Sequence, residues 1–253
     1  MKISIHVDRA ALGRQVAADA AEAIRTADRD RGGVTLVVAT GSSQFEVLSE
    51  LVAQPGVPWE RVTVFHLDEY VGLSPAHAAS FRHYLRERFV QRLPTKPAAF
   101  HELDGEADPT TECRRLAAVV PAGPFDVALV GIGENAHLAF NDPPADFDAT
   151  DPYLVVALDE ACRRQQVGEG WFASLADVPT QAISMSVQRI LASRTIFCSV
   201  PDRRKAEAVR ASVEGPVTTD VPASILQRHP DCRLHLDRDA AALLRSPAKG
   251  SRD

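Results

Sequence analysis

Five continuous apolar runs constrain this chain more than anything else in it: VTLVVAT (34–40), RVTVFHL (61–67), DVALVGIG (126–133), YLVVALD (153–159) and TIFCSV (195–200). Successive strand side chains point to opposite faces, so a sheet with one wet face would need polar residues at alternate positions. These runs do not alternate, which predicts strands buried on both faces, as in a parallel sheet. Between them lie stretches of helical period rich in Ala, Leu, Arg and Glu, namely RQVAADAAEAIRTADRD, SSQFEVLSELVAQ, SFRHYLRERFVQRL, TECRRLAAVV and RRKAEAVRASVEG. Strand alternating with helix predicts an α/β fold, a doubly wound, mostly parallel sheet with helices on both faces. At 253 residues, with no low-complexity run or Pro/Ser-rich linker, the chain reads as one domain over 1–245. The closing SPAKGSRD, 246–253, reads as a flexible tail.

Charge and cysteine usage exclude several partners. The formal net charge is −6, and no Lys/Arg cluster or basic aromatic stripe occurs, which argues against nucleic acid and against an anionic membrane surface. A local cationic pocket for a small anion is still allowed. Cys113, Cys162, Cys198 and Cys232 lie far apart with no C-x-x-C pair, so neither a zinc site nor a disulfide framework is expected. Reduced thiols fit a cytoplasmic protein. The first apolar run is broken by His6, Asp8 and Arg9, so no signal peptide is expected, and no stretch approaches a membrane span.

In doubly wound sheets ligands bind at the carboxyl ends of strands, so the residues after each run are where function is sought. After the first come Thr40, Gly41, Ser42 and Ser43, placed where a helix would begin. Hydroxyls, free backbone N–H groups and a positive dipole end make that an anion seat, although either serine would equally serve as a helix cap. No G-K-[ST] follows, which disfavours a nucleotide triphosphate. After the second run stand Asp68 and Glu69; either a carboxylate there acts as a general base, or the pair caps a helix beginning near 74–77 or pairs with Arg82. The third loop, LVGIGENAHLAFNDPP, crowds Glu134, Asn135, His137, Asn141 and Asp142 together. A histidine beside an acid or amide that sets its tautomer is a proton-transfer unit near neutral pH, whereas His66 and His83 read as core histidines bonded to backbone. The same loop matches G-x-G-x-x-A, but Asn141 and Pro143-Pro144 leave too little helix for a dinucleotide. Asp68, Glu69, His137 and Asp142 are also of the types that ligate a cation, but no H-x-x-x-H spacing supports a metal, and a metal-free site without cofactor is expected.

Taken together, TGSSQ, FHLDEYVGL followed by HAASFRHYL, GIGENAHLAFNDPP, RRKAEAVRASVEGPV and VPASILQRHP resemble, in the same order, the glucosamine-6-phosphate deaminase (isomerase) family, related to the 6-phosphogluconolactonases. The resemblance covers nearly the whole chain and implies a Rossmann-like sheet of the deaminase/lactonase type. It implies that Asp68 moves a proton between adjacent sugar carbons and that His137 assists opening of the pyranose ring. Asp142 stands where the family usually has a Glu steering the histidine. Thr40 to Ser43 and Lys205 would hold the phosphate of a sugar phosphate, with Glu69 beside them. The stretch DEACRRQQVGEGWF aligns poorly with the family's phosphate-binding arginine, leaving Arg163 and Arg164 as candidates. Members are often homo-oligomers.

Two positions depart from the family pattern, which commonly reads Asp-Gly-His where this chain has Asn135-Ala136-His137. An amide orients a ring by hydrogen bonding but does not stabilise imidazolium as a charge does. The Ala136 methyl would be strained if that position needs positive φ. The expected activity is that of a hydrolase/isomerase deaminating glucosamine 6-phosphate to fructose 6-phosphate and ammonia. The alternatives are lactone hydrolysis on the same fold, with His137 activating water, and a phosphosugar-binding protein without turnover.

Overall fold

In the computed structural model, which describes residues 1–245, the apolar runs form strands and the stretches between them form helices. The strands are β1 (Lys2–His6), β2 (Val34–Val38), β3 (Val62–His66), β4 (Asp68–Tyr70), β5 (Ala99–His101), β6 (Val127–Val130), β7 (Tyr153–Ala157), β8 (Gln181–Met185), β9 (Thr195–Val200) and β10 (Cys232–Asp237). The helices are α1 (Arg9–Arg31), α2 (Phe45–Val52), α3 (Phe81–Arg88), α4 (Pro109–Ala117), α5 (Glu160–Gly168), α6 (Val187–Leu191) and α7 (Ala206–Glu214). The tail expected over 246–253 lies outside the described residues.

Seven strands form one sheet in the order β1-β10-β9-β6-β2-β3-β5, and every neighbouring pair is parallel. The unbroken apolar runs follow from burial on both faces. Val37, Phe65, Ala128 and Ile196 pack on one side with Leu116 of α4, Ile190 of α6 and Val209 of α7. Their chain neighbours Leu36, Val64, Leu129 and Phe197 pack on the other with α1 and α2. Helix α1 shows how local sequence supports this: Asp8 caps it by accepting from the Ala11 N–H at 2.7 Å, and Gly32 ends it at φ 72. Its stripe of Leu12, Val16, Ala20, Ile24 and Ala27 is buried, and each large apolar side chain so buried contributes roughly 1.5–3 kcal/mol.

One expected strand of the parallel sheet is elsewhere. YLVVALD forms β7, which pairs antiparallel with β8, and β8 pairs antiparallel with β4, making a separate three-stranded sheet. Tyr153 is buried while Val155 is exposed, so the strand has a wet face although its residues are apolar. Composition alone does not distinguish such an apolar edge strand from a doubly buried one. The small sheet is tied to the large one by the Tyr153 hydroxyl donating to His66 O at 2.7 Å and by Met185 N–H donating to Leu67 O at 2.9 Å. The chain therefore leaves β3 at Leu67 and changes sheets at Asp68.

Candidate active site

β2 connects onward to β3 on one side, while β6 is its neighbour on the other, so the winding reverses between β2 and β6. Loops diverge at such a point and leave a crevice beyond the strand ends. Here the crevice is a cleft of about 570 Å³ walled by the residues following β2, β3, β6 and β9, together with α5. Thr40, Gly41, Ser42, Ser43, Asp68, His137 and Lys205 all line it.

The loop after β2 turns at Gly41, whose φ is 86, and closes with Gln44 N–H donating to Gly41 O at 3.1 Å. The short helical turn Ser42–Gln44 begins without a side-chain cap, so neither serine is spent as a helix cap, and both hydroxyls border the cleft. Gln44 pins the loop to β6 by donating to Val130 O at 3.2 Å.

Strand alternation separates the two acids. Asp68 faces the cleft and Glu69, on the opposite face of β4, faces inward. Glu69 accepts hydrogen bonds from the N–H groups of Tyr70, Phe81 and Arg82 and from the Ser80 hydroxyl, at 2.7 to 3.1 Å. It is thus the organiser of the α3 N-terminus, which lies at Ser80–Phe81 rather than near 74–77, and it is not a cleft residue. Asp68 is 6% exposed, and burial, helped by the neighbouring Glu69 charge, pushes its carboxyl up to about 8. Burial pushes Glu69 upward as well, against the pull of its donors.

No helix follows β6. Gly131, Ile132 and Gly133 lead into tight turns that fold His137 back over the strand end, so the G-x-G-x-x-A match has no helix to offer a dinucleotide. The glycines serve close approach instead. A Cβ on Gly133 would stand 2.2 Å from His137 Nε2, and one on Gly131 would stand 2.9 Å from Ser43 Oγ. Ala136 adopts φ 66, a left-handed conformation costing a non-glycine residue about 1–2 kcal/mol, and its methyl is buried against the core.

His137 Nδ1 lies 3.1 Å from Asp142 Oδ1. The Asn135 amide donates to Asp142 Oδ1 and to Asp159 Oδ2, each at 3.0 Å, while its own oxygen accepts from the His137 N–H at 3.1 Å. An aspartate at 135 would set a third carboxylate against those two; the amide bridges them. Burial acts to raise the Asp142 carboxyl, but His137, Asn135 and the Asp159 N–H together hold it below the usual range. Asn141 donates to Leu138 O and Met185 O, anchoring the loop to β8. Among the described residues His137, Asp142 and Cys162 come together as groups of metal-ligating type, and Asp68 and Glu69 do not join them.

His66 is a core histidine whose Nδ1 accepts from the Leu103 N–H at 3.3 Å. His83 instead lies partly exposed on α3, 3.3 Å from Glu87.

The arginine candidates are corrected by the structure. Arg163 donates to the carbonyls of Leu175 and Val178, and Arg164 pairs with Glu160 on the exposed side of α5, so neither lines the cleft. The stretch contributes other residues, Gln165, Gln166 and Glu169. Gln165 accepts from the Glu134 N–H at 2.9 Å and donates to Glu169 at 2.8 Å. The signal available in the sequence was two adjacent glutamines on the inner face of an amphipathic helix, where apolar residues are the rule. Lys205 lies 3.7 Å from Glu169, and burial pushes its ammonium below the usual lysine range against the upward pull of Glu169.

The family model for glucosamine-6-phosphate isomerases/6-phosphogluconolactonase matches residues 7–234. A glucosamine-6-phosphate deaminase of Exiguobacterium sibiricum is 42% identical over 217 residues, 86% of this chain and 84% of that protein. The solved structure of a monomeric glucosamine-6-phosphate deaminase superposes with a TM-score of 0.88 at 33% identity, covering 96% of this chain and 100% of that one. The 6-phosphogluconolactonase of Trypanosoma brucei shares the fold, with a TM-score of 0.76 at 18% identity over 95% of this chain and 97% of that one. On the extent of these matches, the chain belongs to the glucosamine-6-phosphate isomerase/6-phosphogluconolactonase family.

Proposed function

We propose that this protein is a glucosamine-6-phosphate deaminase, converting glucosamine 6-phosphate and water to fructose 6-phosphate and ammonia. The observation that carries this reading is a buried carboxyl with its pKa raised to about 8, Asp68, sharing one cleft with the imidazole of His137, whose Nδ1 lies 3.1 Å from Asp142. A general base works best with a pKa near the operating pH, and few carboxyls have one.

In this reading the Thr40–Ser43 loop and Lys205 hold the phosphate. His137 gives a proton to the ring oxygen and takes one from the anomeric hydroxyl, opening the pyranose. Asp142, 3.1 Å from Nδ1, keeps the ring aligned. Ionised Asp68 then removes the proton from C2, the electron pair forms the C1=C2 bond of an enolamine as the aldehyde oxygen takes up a proton, and Asp68 returns its proton to C1 while the amine nitrogen gives one up and the C2=N bond forms. The resulting C2 imine adds water, the C–N bond breaks and ammonia leaves. The reading calls for no cofactor, and every group named comes from one chain; the solved relative above is described as monomeric. Four free thiols support the cytoplasmic placement, and no helix among the described residues is long and apolar enough to cross a membrane.

The test is a direct assay of the purified protein with glucosamine 6-phosphate and, separately, 6-phosphogluconolactone. Stoichiometric ammonia and fructose 6-phosphate support the proposal. Turnover of the lactone alone would establish the hydrolytic alternative, and tight phosphosugar binding without product would establish the binding protein.

A further inference from the structure

Lys205 is the cationic side chain that lines the cleft among the described residues, and it is not free of charge partners. Its side chain is 6% exposed, and the ammonium stands 3.7 Å from Glu169 Oε1, whose side chain is 5% exposed. That separation is an ion pair longer than a hydrogen bond, so the ammonium protons stay available to a ligand while the charge is compensated. Glu169 is held independently: Gln165 Nε2 donates to it at 2.8 Å and Trp171 Nε1 at 3.3 Å. It therefore stays satisfied and in place when Lys205 turns to another anion. The neighbouring Arg204 does not relieve the balance, because it is engaged by Asp202 at 2.8 Å and by Glu134 at 3.6 Å outside the cleft wall.

We propose that Glu169 is a specificity-determining residue: its fixed carboxylate beside Lys205 offsets the lysine charge and so limits how strongly the cleft favours a phosphorylated sugar over its unphosphorylated counterpart. The proposal rests on the phosphosugar reading above. A dianionic phosphate seated on Lys205 meets the repulsion of Glu169 as well as the attraction of the ammonium, at separations where charges near a protein surface interact appreciably. A neutral sugar hydroxyl at the same place meets neither. The pair thus trades phosphate affinity for a lower electrostatic bias.

The experiment measures binding of inorganic phosphate at pH 8 by calorimetry to the wild-type protein and to Glu169→Gln, Glu169→Ala and Lys205→Met. Both Glu169 variants are expected to bind phosphate about tenfold more tightly than wild type, a gap that narrows as salt is raised. The preference of kcat/KM for glucosamine 6-phosphate over glucosamine should rise by a similar factor. Lys205→Met should bind phosphate more weakly. If the Lys205 variant binds more weakly but neither Glu169 variant binds more tightly, the specificity role of Glu169 is overturned while the phosphate seat stands. Weaker binding in both Glu169 variants would make Glu169 a support for Lys205 and overturn the proposal equally. If Lys205→Met binds phosphate as well as wild type does, the seat itself is wrong and the phosphosugar reading falls with it.

Discussion

Replacing Asp68 by Asn should stabilise the protein, and the gain should grow with pH. Asp68 has a folded pKa of about 8, above the value of about 3.9 for an aspartate in an unfolded chain. A carboxyl whose pKa is raised on folding contributes stability that is fully present below its unfolded pKa and is lost as pH rises through the folded one. Between about pH 4 and pH 8 the unfolded chain is ionised at this position while the folded protein holds the proton, so wild type loses about 1.4 kcal/mol per pH unit from this group. The cost therefore reaches about 1.5 kcal/mol at pH 5 and about 4 kcal/mol at pH 7. Asparagine does not titrate, and every other group is common to both proteins, so the difference between their unfolding free energies isolates Asp68. Urea denaturation of both at pH 5, 6 and 7 measures it. The gap should widen by about 2–3 kcal/mol over that range in favour of the variant. A gap that stays level across those pH values would refute the reasoning, because it would mean that Asp68 titrates alike in the folded and unfolded chains.

Other substitutions probe the remaining parts of the site. Glu69→Ala leaves three buried N–H donors and the Ser80 hydroxyl without their acceptor, while Arg82 keeps Asp104 at 2.8 Å, and should lower the unfolding free energy by about 3–5 kcal/mol in urea titrations. Gly133→Ala puts a methyl where His137 Nε2 now stands, so kcat for ammonia release should fall about a hundredfold while phosphate binding, read by calorimetry, is kept. Asn135→Asp places a carboxyl 3.0 Å from both Asp142 and Asp159, where it must take up a proton and can then donate to only one of them. Its kcat should drop about tenfold at pH 8 and recover toward lower pH, since charged hydrogen bonds are worth about 1.5–3 kcal/mol; a pH profile parallel to wild type would deny the amide its bridging role.

The sheet was legible because burial on both faces leaves a simple mark, adjacent apolar residues without polar alternation along β2, β3, β6 and β9. The mark misleads at 153–159, where β7 is as apolar as the others yet has a wet face; tertiary position, not composition, decides that. The site was partly legible through a topological rule, because residues following parallel strands converge, and Thr40–Ser43, Asp68, His137 and Lys205 do share a cleft. Adjacent acids are harder. Asp68 and Glu69 differ in what they face only because β4 pairs with β8 after the chain changes sheets, a pairing between residues more than a hundred positions apart. Arg163 and Arg164 became candidates through a stretch that aligns poorly with the family's phosphate-binding arginine, but the face of α5 turned to the cleft carries Gln165 and Gln166, with Glu169 at its C-terminal end, and the phase of a short helix is set by what it packs against.

Proton transfer by Asp68 within the bound sugar is the centre of this account, and isotope incorporation tests it most directly. Glucosamine 6-phosphate is turned over in D2O and the fructose 6-phosphate product is examined by NMR for deuterium at C1, with wild type and Asp68→Asn side by side. Wild type should release ammonia and carry solvent deuterium at C1 to the extent that the Asp68 proton exchanges before its return. The Asn variant should lose ammonia release and C1 labelling together, by a factor of about 10²–10⁴, the usual worth of a positioned acid–base group. An Asn variant that forms labelled product at the wild-type rate would contradict the account.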